Sequence, residues 1–361
     1  MGELDDLLSR LRALREVIRI EAELVLAYKM KEAAGIDREV VDLVRLSSRH
    51  AFGGKMLREA LMVLGYEAAG GKDREAIVQA STALTFLQAY LLVHDDIMDR
   101  AELRRKEKSA WKEFEDGHRK RFPKRKEHRR YGDTTAIIVG DLFESWAVEA
   151  LAMSRFPPEL RARALATYAR AVERTGYGQH LDVLTGEKEA KDVLPEDVEK
   201  VHHYKTAMYT IDAPVRLGMV LAGASDDLLS RLEAFTIPLG VAFQIRDDVI
   251  DVFGDEKELG KEPGGDLKEG KRTLLVLHVL ENGDGKQKKA VIAVLGKKGA
   301  TKVALEKARG AIEASGAREA SMKRAEVLFQ DAMKGLGSLG LAQSPKKELG
   351  ILGDYLIHRS Y

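Results

Sequence analysis

Two short acidic runs carry most of the chemistry this chain could do. The first is Asp95-Asp96-Ile97-Met98-Asp99 and the second is Asp247-Asp248-Val249-Ile250-Asp251. In each, the first and fifth residues stand about one helical turn apart, so two carboxylates share a face roughly 6 Å apart along the axis. Leu91, Leu92 and Val93 precede one run, and Val241, Phe243 and Ile245 precede the other. Three carboxylates on an apolar helix repel one another and, once buried, require a counter-charge. Oxygen donors without cysteine or clustered histidine favour a hard cation such as Mg²⁺, which keeps waters and shares phosphate oxygens. A single run is as easily an acidic helix end facing water. Two copies about 150 residues apart are a different matter. They are predicted to face each other across a bundle cavity and to cage a metal–diphosphate cluster.

Cations to match such a cluster are at hand. Arg104 and Arg105 follow the first run by about one and a half turns. Gly53-Gly54-Lys55-Met56-Leu57-Arg58 reads as a helix start, where backbone N–H groups, Lys55 and Arg58 make a natural anion site. Tyr204-Lys205-Thr206, Lys261 and Lys271 add positive charge. Taken singly each is a surface residue; together they are candidate ligands for two diphosphates. His202 and His203 are expected to be structural, because no matching carboxylate is evident near them.

The elements that must position these groups read as helices throughout. Leu7, Leu8, Leu11, Leu14, Val17 and Ile18 form one stripe of a helix from Leu4 to Ala34. Further helices are expected at about 54–68, 73–102, 134–154, 157–187, 196–224, 226–253, 271–282, 286–296, 300–314, 316–336 and 345–358. The segment 76–93 is apolar nearly all round, the mark of a buried central helix. No useful alternating strand pattern occurs, so the expected fold class is all-α, with residues 1–361 forming a single domain. Residues 256–270, rich in glycine and charge, suit a flexible flap. Residues 106–132 are expected to be a solvated, mobile basic insertion, since eight of the twelve from Arg119 to Arg130 are Lys or Arg.

Composition narrows the class further. With 361 residues, 45% of them hydrophobic, a large core is available, while a net charge of +1 gives no bulk support for nucleic acid or membrane binding. The absence of cysteine excludes disulfides, thiolate metal sites, a cysteine nucleophile and prenylation. The first residues lack a signal-peptide order, and the stretch Ala83 to Val93 is too short to span a bilayer. A cytoplasmic protein without an integral membrane segment is the expectation.

On these residues the sequence resembles the trans-isoprenyl diphosphate synthases, over about residues 50 to 275. Leu92-Val93-His94 with the first acidic run, and Phe243-Gln244-Ile245-Arg246 with the second, look like the two aspartate-rich motifs of that family in order and spacing. The resemblance implies that Lys55, Arg58, Gln88 and Arg105 hold isopentenyl diphosphate. It places Arg104, Lys205, Lys261 and Lys271 on the allylic diphosphate, and Thr206 and Gln244 facing a carbocation. Asp95, Asp96, Asp99, Asp247, Asp248, Asp251 and Asp266 become the metal ligands, Asp266 through its likeness to a short Gly-Gly-Asp motif. It further implies an orthogonal bundle of about ten core helices, a homodimer, and three Mg²⁺ ions per site with Mn²⁺ as a substitute. The reaction implied is head-to-tail condensation of isopentenyl diphosphate with allylic diphosphates by metal-assisted ionisation. Three departures stand out: Lys106 where the family has glycine, Met56 and Glu59 around Arg58, and Arg246 beside the second motif.

The rivals are a class I terpene cyclase, a farnesyl diphosphate synthase and a non-catalytic synthase subunit. A cyclase has no second diphosphate to hold, and lost acidic positions mark the subunits, whereas all six aspartates are present here. For product length, Tyr90 and Leu91 lie about 7.5 Å and 6 Å down the helix from Asp95 and are candidates for the floor of the chain pocket. A lone aromatic five residues upstream, with no insertion in the motif, resembles the archaeal geranylgeranyl diphosphate synthases and points to a C20 product.

Overall fold

The computed structural model describes residues 2–54, 56–255 and 263–358. Among these, helix dominates, and the one small sheet is a two-residue hairpin. The chain divides into two compact units, Met1–Ala166 with Leu217–Gly223, and Thr167–Arg216 with Ala224–Tyr361.

In the first unit, α1 (Gly2–Ala34) buries Leu7, Leu14, Ile18, Ala22 and Leu26, a stripe at helical spacing. It packs on α2 (Arg38–Ala51), which the sequence reading missed. Its start is set by Asp37, whose side chain accepts the Glu39 backbone N–H at 2.7 Å. The helices α3 (Leu57–Ala68) and α4 (Arg74–Met98) follow. Asp73 caps α4 by accepting from the Ala76 N–H, and Ala76 to Leu87 are almost all buried, as the all-round apolar pattern required. By length and composition α4 and the stretch Asp226–Phe253 could each cross a membrane, but 72% and 50% of their apolar windows are buried within the protein. Length therefore does not separate these helices from a span as the sequence reading held; burial accounts for their composition instead.

After α4 the hairpin pairs β1 (Leu103–Arg104) with β2 (Glu107–Lys108), and the chain enters α5 (Ala110–Arg121) and α6 (His128–Ala152). Here the structure corrects the sequence. The first part of the segment is a helix packed on α6, where burial of Trp111 and Phe114 repays its ordering, while the cations of 119–127 stay exposed around the turn.

In the second unit, α7 (Pro158–Glu187, from Thr167 onward) precedes α8 (Pro195–Val201). The chain then continues as an eleven-residue π-helical segment, His202–Asp212, before α9 (Ala213–Leu221). Such wide turns recur at functional positions. The helices α10 (Asp226–Arg231) and α11 (Glu233–Phe253) follow, then α12 (Gly265–Glu269) and α13 (Leu274–Asn282). The remaining helices are α14 (Gly285–Ile292), α15 (Lys302–Ala314), α16 (Ala317–Ser338) and α17 (Gln343–His358). Helix α11 is the axis of this unit, packed on α16 and on the π segment. Gly240 makes the second contact possible: a Cβ there would stand 2.4 Å from the Ala207 Cβ.

Candidate active site

The first acidic run ends α4. Asp96 is buried and Asp95 and Asp99 are half-exposed. Arg104 reaches back across the turn, its Nε donating to Asp96 Oδ1 at 2.8 Å and its Nη2 lying 3.3 Å from Asp95 Oδ2. Burial pushes the Asp96 carboxyl above the ordinary carboxylate value, although Arg104 pulls the other way. Backbone geometry places Arg104: the hairpin turn at Arg105 and Lys106 takes φ of 53° and 70°, the left-handed pair that a two-residue hairpin demands. Lys106 thus fills the position where the family has glycine, and the turn is made without one. Arg105 projects onto Gly53 and Gly54, donating to the Phe52 carbonyl at 3.4 Å. A Cβ on Gly53 would lie 1.4 Å from the Arg105 Nη1 and push this guanidinium aside, and the Gly53 φ of 154° itself favours glycine.

Helix α5 braces the same corner. Trp111 Nε1 donates to the carbonyls of Asp96 and Ala101 at 3.1 and 2.9 Å, and Arg129 covers the Trp111 ring at 3.3 Å. On its other side Glu113 accepts from Arg49 and meets His50 Nε2 at 3.0 Å, tying α5 to the end of α2 just before Gly53. Arg58, at the second position of α3, and Gln88, two turns before Asp95, are half-buried. Lys55 lies outside the described residues. Glu59 is wholly buried; its Oε1 accepts from the Thr85 hydroxyl at 2.7 Å, and burial raises its pKa against the pull of Thr85 and Arg58.

Tyr90 is half-buried. Its ring meets His94 edge-on at 5.0 Å, and its hydroxyl pKa is raised by burial and by Glu144 and Asp141 of α6. Leu91, the neighbouring floor candidate, is also half-exposed.

The second acidic run lies in α11 of the other unit. Asp247 is half-exposed, while Asp248 and Asp251 are buried. Gln244 Nε2 donates to Asp248 Oδ1 at 2.7 Å, and His202 Nε2 lies 3.2 Å from Asp248 Oδ2, a close approach without hydrogen-bond alignment. The expectation that His202 has no matching carboxylate is overturned. The π segment brings together residues 46 positions apart, a pairing that spacing along one helix could not reveal. Asp251 Oδ2 accepts from the Asp266 N–H at 2.9 Å and its carbonyl from the Gly264 N–H at 2.7 Å. Of the expected flap, 256–262, including Lys261, lies outside the described residues; the rest is the short helix α12, held on Asp251 between left-handed Gly264 and Gly270. Lys271 pairs with Asp266 and Glu269, both at 3.0 Å.

Lys205 and Thr206 sit half-buried on the π segment. Lys205 Nζ donates to Asp182 Oδ2 of α7, a partner the sequence reading missed. One signal was available: Gly178 and Asp182 stand one turn apart on the same face of α7. Gly178 provides the close approach and Asp182 the anion. Arg246 Nη1 lies 3.3 Å from the Met322 sulfur of α16.

Residues 41–312 match the polyprenyl synthetase family. The chain belongs to it. A geranylgeranyl diphosphate synthase of Saccharolobus solfataricus is 34% identical over 266 residues, covering 73% of this chain and 74% of the relative. A geranylfarnesyl diphosphate synthase of Aeropyrum pernix is 31% identical, covering 85% and 91%. Among solved structures, a geranylgeranyl pyrophosphate synthase of Corynebacterium glutamicum, complexed with isoprenyl diphosphate and magnesium, superposes with a TM-score of 0.89 at 29% identity over 96% of this chain and 98% of that one. The fold is the all-α isoprenoid synthase fold, and the chain is a trans-prenyltransferase acting on isopentenyl and allylic diphosphates.

The donor set suits the divalent metal that such synthases use. Among the described residues no three Asp, Glu or His side chains form a ready-made cage for an ion. Mg²⁺ does not need one, since it binds through one or two carboxylates and completes its shell with water and substrate phosphate.

Proposed function

We propose that each acidic run holds Mg²⁺ for diphosphate ionisation and that the product is the C20 geranylgeranyl diphosphate. The observation that carries the first half is that polar groups orient the carboxylates of each run. Arg104 engages the buried Asp96, Gln244 engages Asp248, and the Asp266 N–H engages Asp251. Asp95, Asp96, Asp99, Asp247, Asp248, Asp251 and Asp266 are the residues to hold Mg²⁺, with Asp95, Asp99 and Asp247 offering their carboxylates from half-exposed positions. When bound, three Mg²⁺ ions, or Mn²⁺ in their stead, neutralise charge on the departing diphosphate.

The chain's own groups do the rest. Arg104, Lys205 and Lys271 match the charge that grows on the leaving diphosphate, joined by Lys261. Lys55, Arg58, Gln88 and Arg105 hold isopentenyl diphosphate, Arg105 being fixed by Gly53 and the hairpin turn. Gln244 gives its N–H to Asp248, which leaves the amide oxygen, its electron-rich end, to face the allylic cation together with the Thr206 hydroxyl. The double bond of isopentenyl diphosphate attacks that cation, and the proton lost goes to the released diphosphate. No protein nucleophile is required. A homodimer in the cytoplasm completes the reading.

Product length rests on Tyr90, the lone aromatic five residues before Asp95. Relatives of similar identity bear the names of C20 and C25 synthases, so overall likeness does not set the length. Chromatography of the dephosphorylated products is the test. The parent should give C20, Tyr90→Ala chains longer than C20, and Leu91→Phe a shift toward C15. Unchanged lengths in the Tyr90→Ala enzyme would place the floor elsewhere.

A further inference from the structure

Net charge over the whole chain is +1, yet the turn joining α5 to α6 concentrates cations far beyond that. From Arg119 to Arg130 eight residues are Lys or Arg and one, Glu127, is acidic. Four of the eight are neutralised in place: Arg119 by Glu115, Arg121 by Glu39, Arg129 by Asp133 and Arg130 by Glu127. The other four, Lys120, Lys124, Arg125 and Lys126, are exposed and have no carboxylate partner among the described residues. Four unbalanced charges thus crowd into seven consecutive residues at a hairpin tip, where mutual repulsion is relieved only by counter-ions or an anionic partner.

Two aromatic rings share this tip. Phe122 and Tyr131 are 43% and 45% exposed. They are held rather than loose: Tyr131 stacks on His118 at 4.2 Å, Phe122 lies 5.1 Å from the same imidazole, and His118 Nδ1 is 2.8 Å from His128 Nδ1. The tip is therefore a fixed aromatic platform ringed by free cations, and the buried Trp111 and Phe114 anchor its base.

We propose that this tip docks on an anionic lipid surface, with Phe122 and Tyr131 at headgroup level and Lys120, Lys124, Arg125 and Lys126 over the phosphates. Aromatic rings favour that depth, and each nearby Lys or Arg adds attraction to an anionic leaflet. Two observations favour lipid over single-stranded nucleic acid, the other ligand of basic aromatic surfaces. Tyr131 already gives one ring face to His118, so that face cannot stack a base. The reaction itself yields an amphiphile with a long apolar tail, and a docked enzyme delivers that tail where it partitions. This second point rests on the prenyl-synthase reading; the first does not.

The test is flotation of the intact enzyme with vesicles of phosphatidylcholine alone and of phosphatidylcholine with phosphatidylglycerol, at low and high salt. The enzyme should float with the anionic vesicles only, and high salt should release it. Replacing Lys120, Lys124, Arg125 and Lys126 together by Gln should weaken partitioning by about fivefold per cation, several hundredfold in all. Turnover on soluble short-chain substrates should stay unchanged, which separates this proposal from the catalytic one. Phe122→Ser should weaken binding without altering its salt dependence. Equal flotation on neutral vesicles, or full binding by the fourfold variant, overturns the proposal. Neglect of anionic vesicles together with salt-sensitive binding of an RNA oligonucleotide would overturn it in favour of nucleic acid.

Discussion

Placement of Lys205 turns on the absence of one side chain, that of Gly178. A Cβ there would stand 2.1 Å from the Lys205 backbone nitrogen, 2.4 Å from the Tyr204 carbonyl carbon and 2.6 Å from the Lys205 Cα. Ordinary contact begins at 3.4 Å, so in Gly178→Ala the π segment and α7 must part by about 1.3 Å. Every obstacle is backbone, and no rotamer change relieves it. Overpacking of this kind costs about 1–3 kcal/mol, and the better helix propensity of alanine returns about 0.5–1 kcal/mol. A net loss of about 1 kcal/mol in chemical denaturation is expected. The effect on catalysis should be larger, because Lys205 and Thr206 move with the segment and a misplacement of about 1 Å costs roughly a hundredfold in rate. Gly176→Ala is the control: it lies in the same helix with nothing within 4 Å of its Cβ, so it should leave turnover unchanged and stability equal or raised. Diphosphate release measured on both variants decides the matter. Turnover of Gly178→Ala within threefold of the parent would refute the argument that this close approach positions Lys205.

The remaining predictions address single groups. Asp95→Ala and Asp247→Ala should each cut turnover by several orders of magnitude, while melting temperatures without Mg²⁺ stay level or rise through relief of like-charge repulsion; near-normal activity in both would end the metal-ligand reading. Trp111→Phe keeps most of the buried volume but strips the donor from the Asp96 and Ala101 carbonyls, so about 1–3 kcal/mol of stability should be lost along with part of the activity. An unaffected variant would return α5 to the status of an accessory segment. For Glu59 the folded-state pKa is raised, so the folded protein keeps a proton that the unfolded chain releases. Stability from this group is full below the unfolded carboxylate pKa and falls as pH rises toward the folded value. Glu59→Gln should flatten that part of the pH–stability curve, and superimposable curves would show that the carboxyl does not titrate as argued.

Legibility in the sequence followed physical range. The long helices were readable because their burial stripes repeat within a single element: the all-round apolar pattern of 76–93 appears where it was placed, and the α1 stripe holds at Leu7, Leu14 and Ile18, although Val17, read as part of it, is exposed. Helix α2 was legible yet missed: Val40, Val41, Leu43, Val44 and Leu46 recur at helical spacing, and Asp37 caps its start. Helix α5 escaped for a physical reason. Its charge dominates its composition, while Trp111 and Phe114 do the burying at a three-residue spacing that reads as noise among lysines. The acidic runs and Arg104 were readable as local spacing. The Lys205–Asp182 and His202–Asp248 pairs were not, since each joins residues on different helices through a glycine contact or a π turn.

The two acidic runs look alike in sequence yet the protein treats them differently. The first is answered by a full cation: Arg104 meets the buried Asp96, and the hairpin that delivers it costs two left-handed non-glycine residues. In the second, the Gln244 amide donates to Asp248 and the Asp266 N–H to Asp251, with Lys271 paired to Asp266. A charge facing a guanidinium is largely neutralised before any substrate arrives. A charge held by amides keeps more of its negative potential, because dipoles orient a carboxylate without cancelling it.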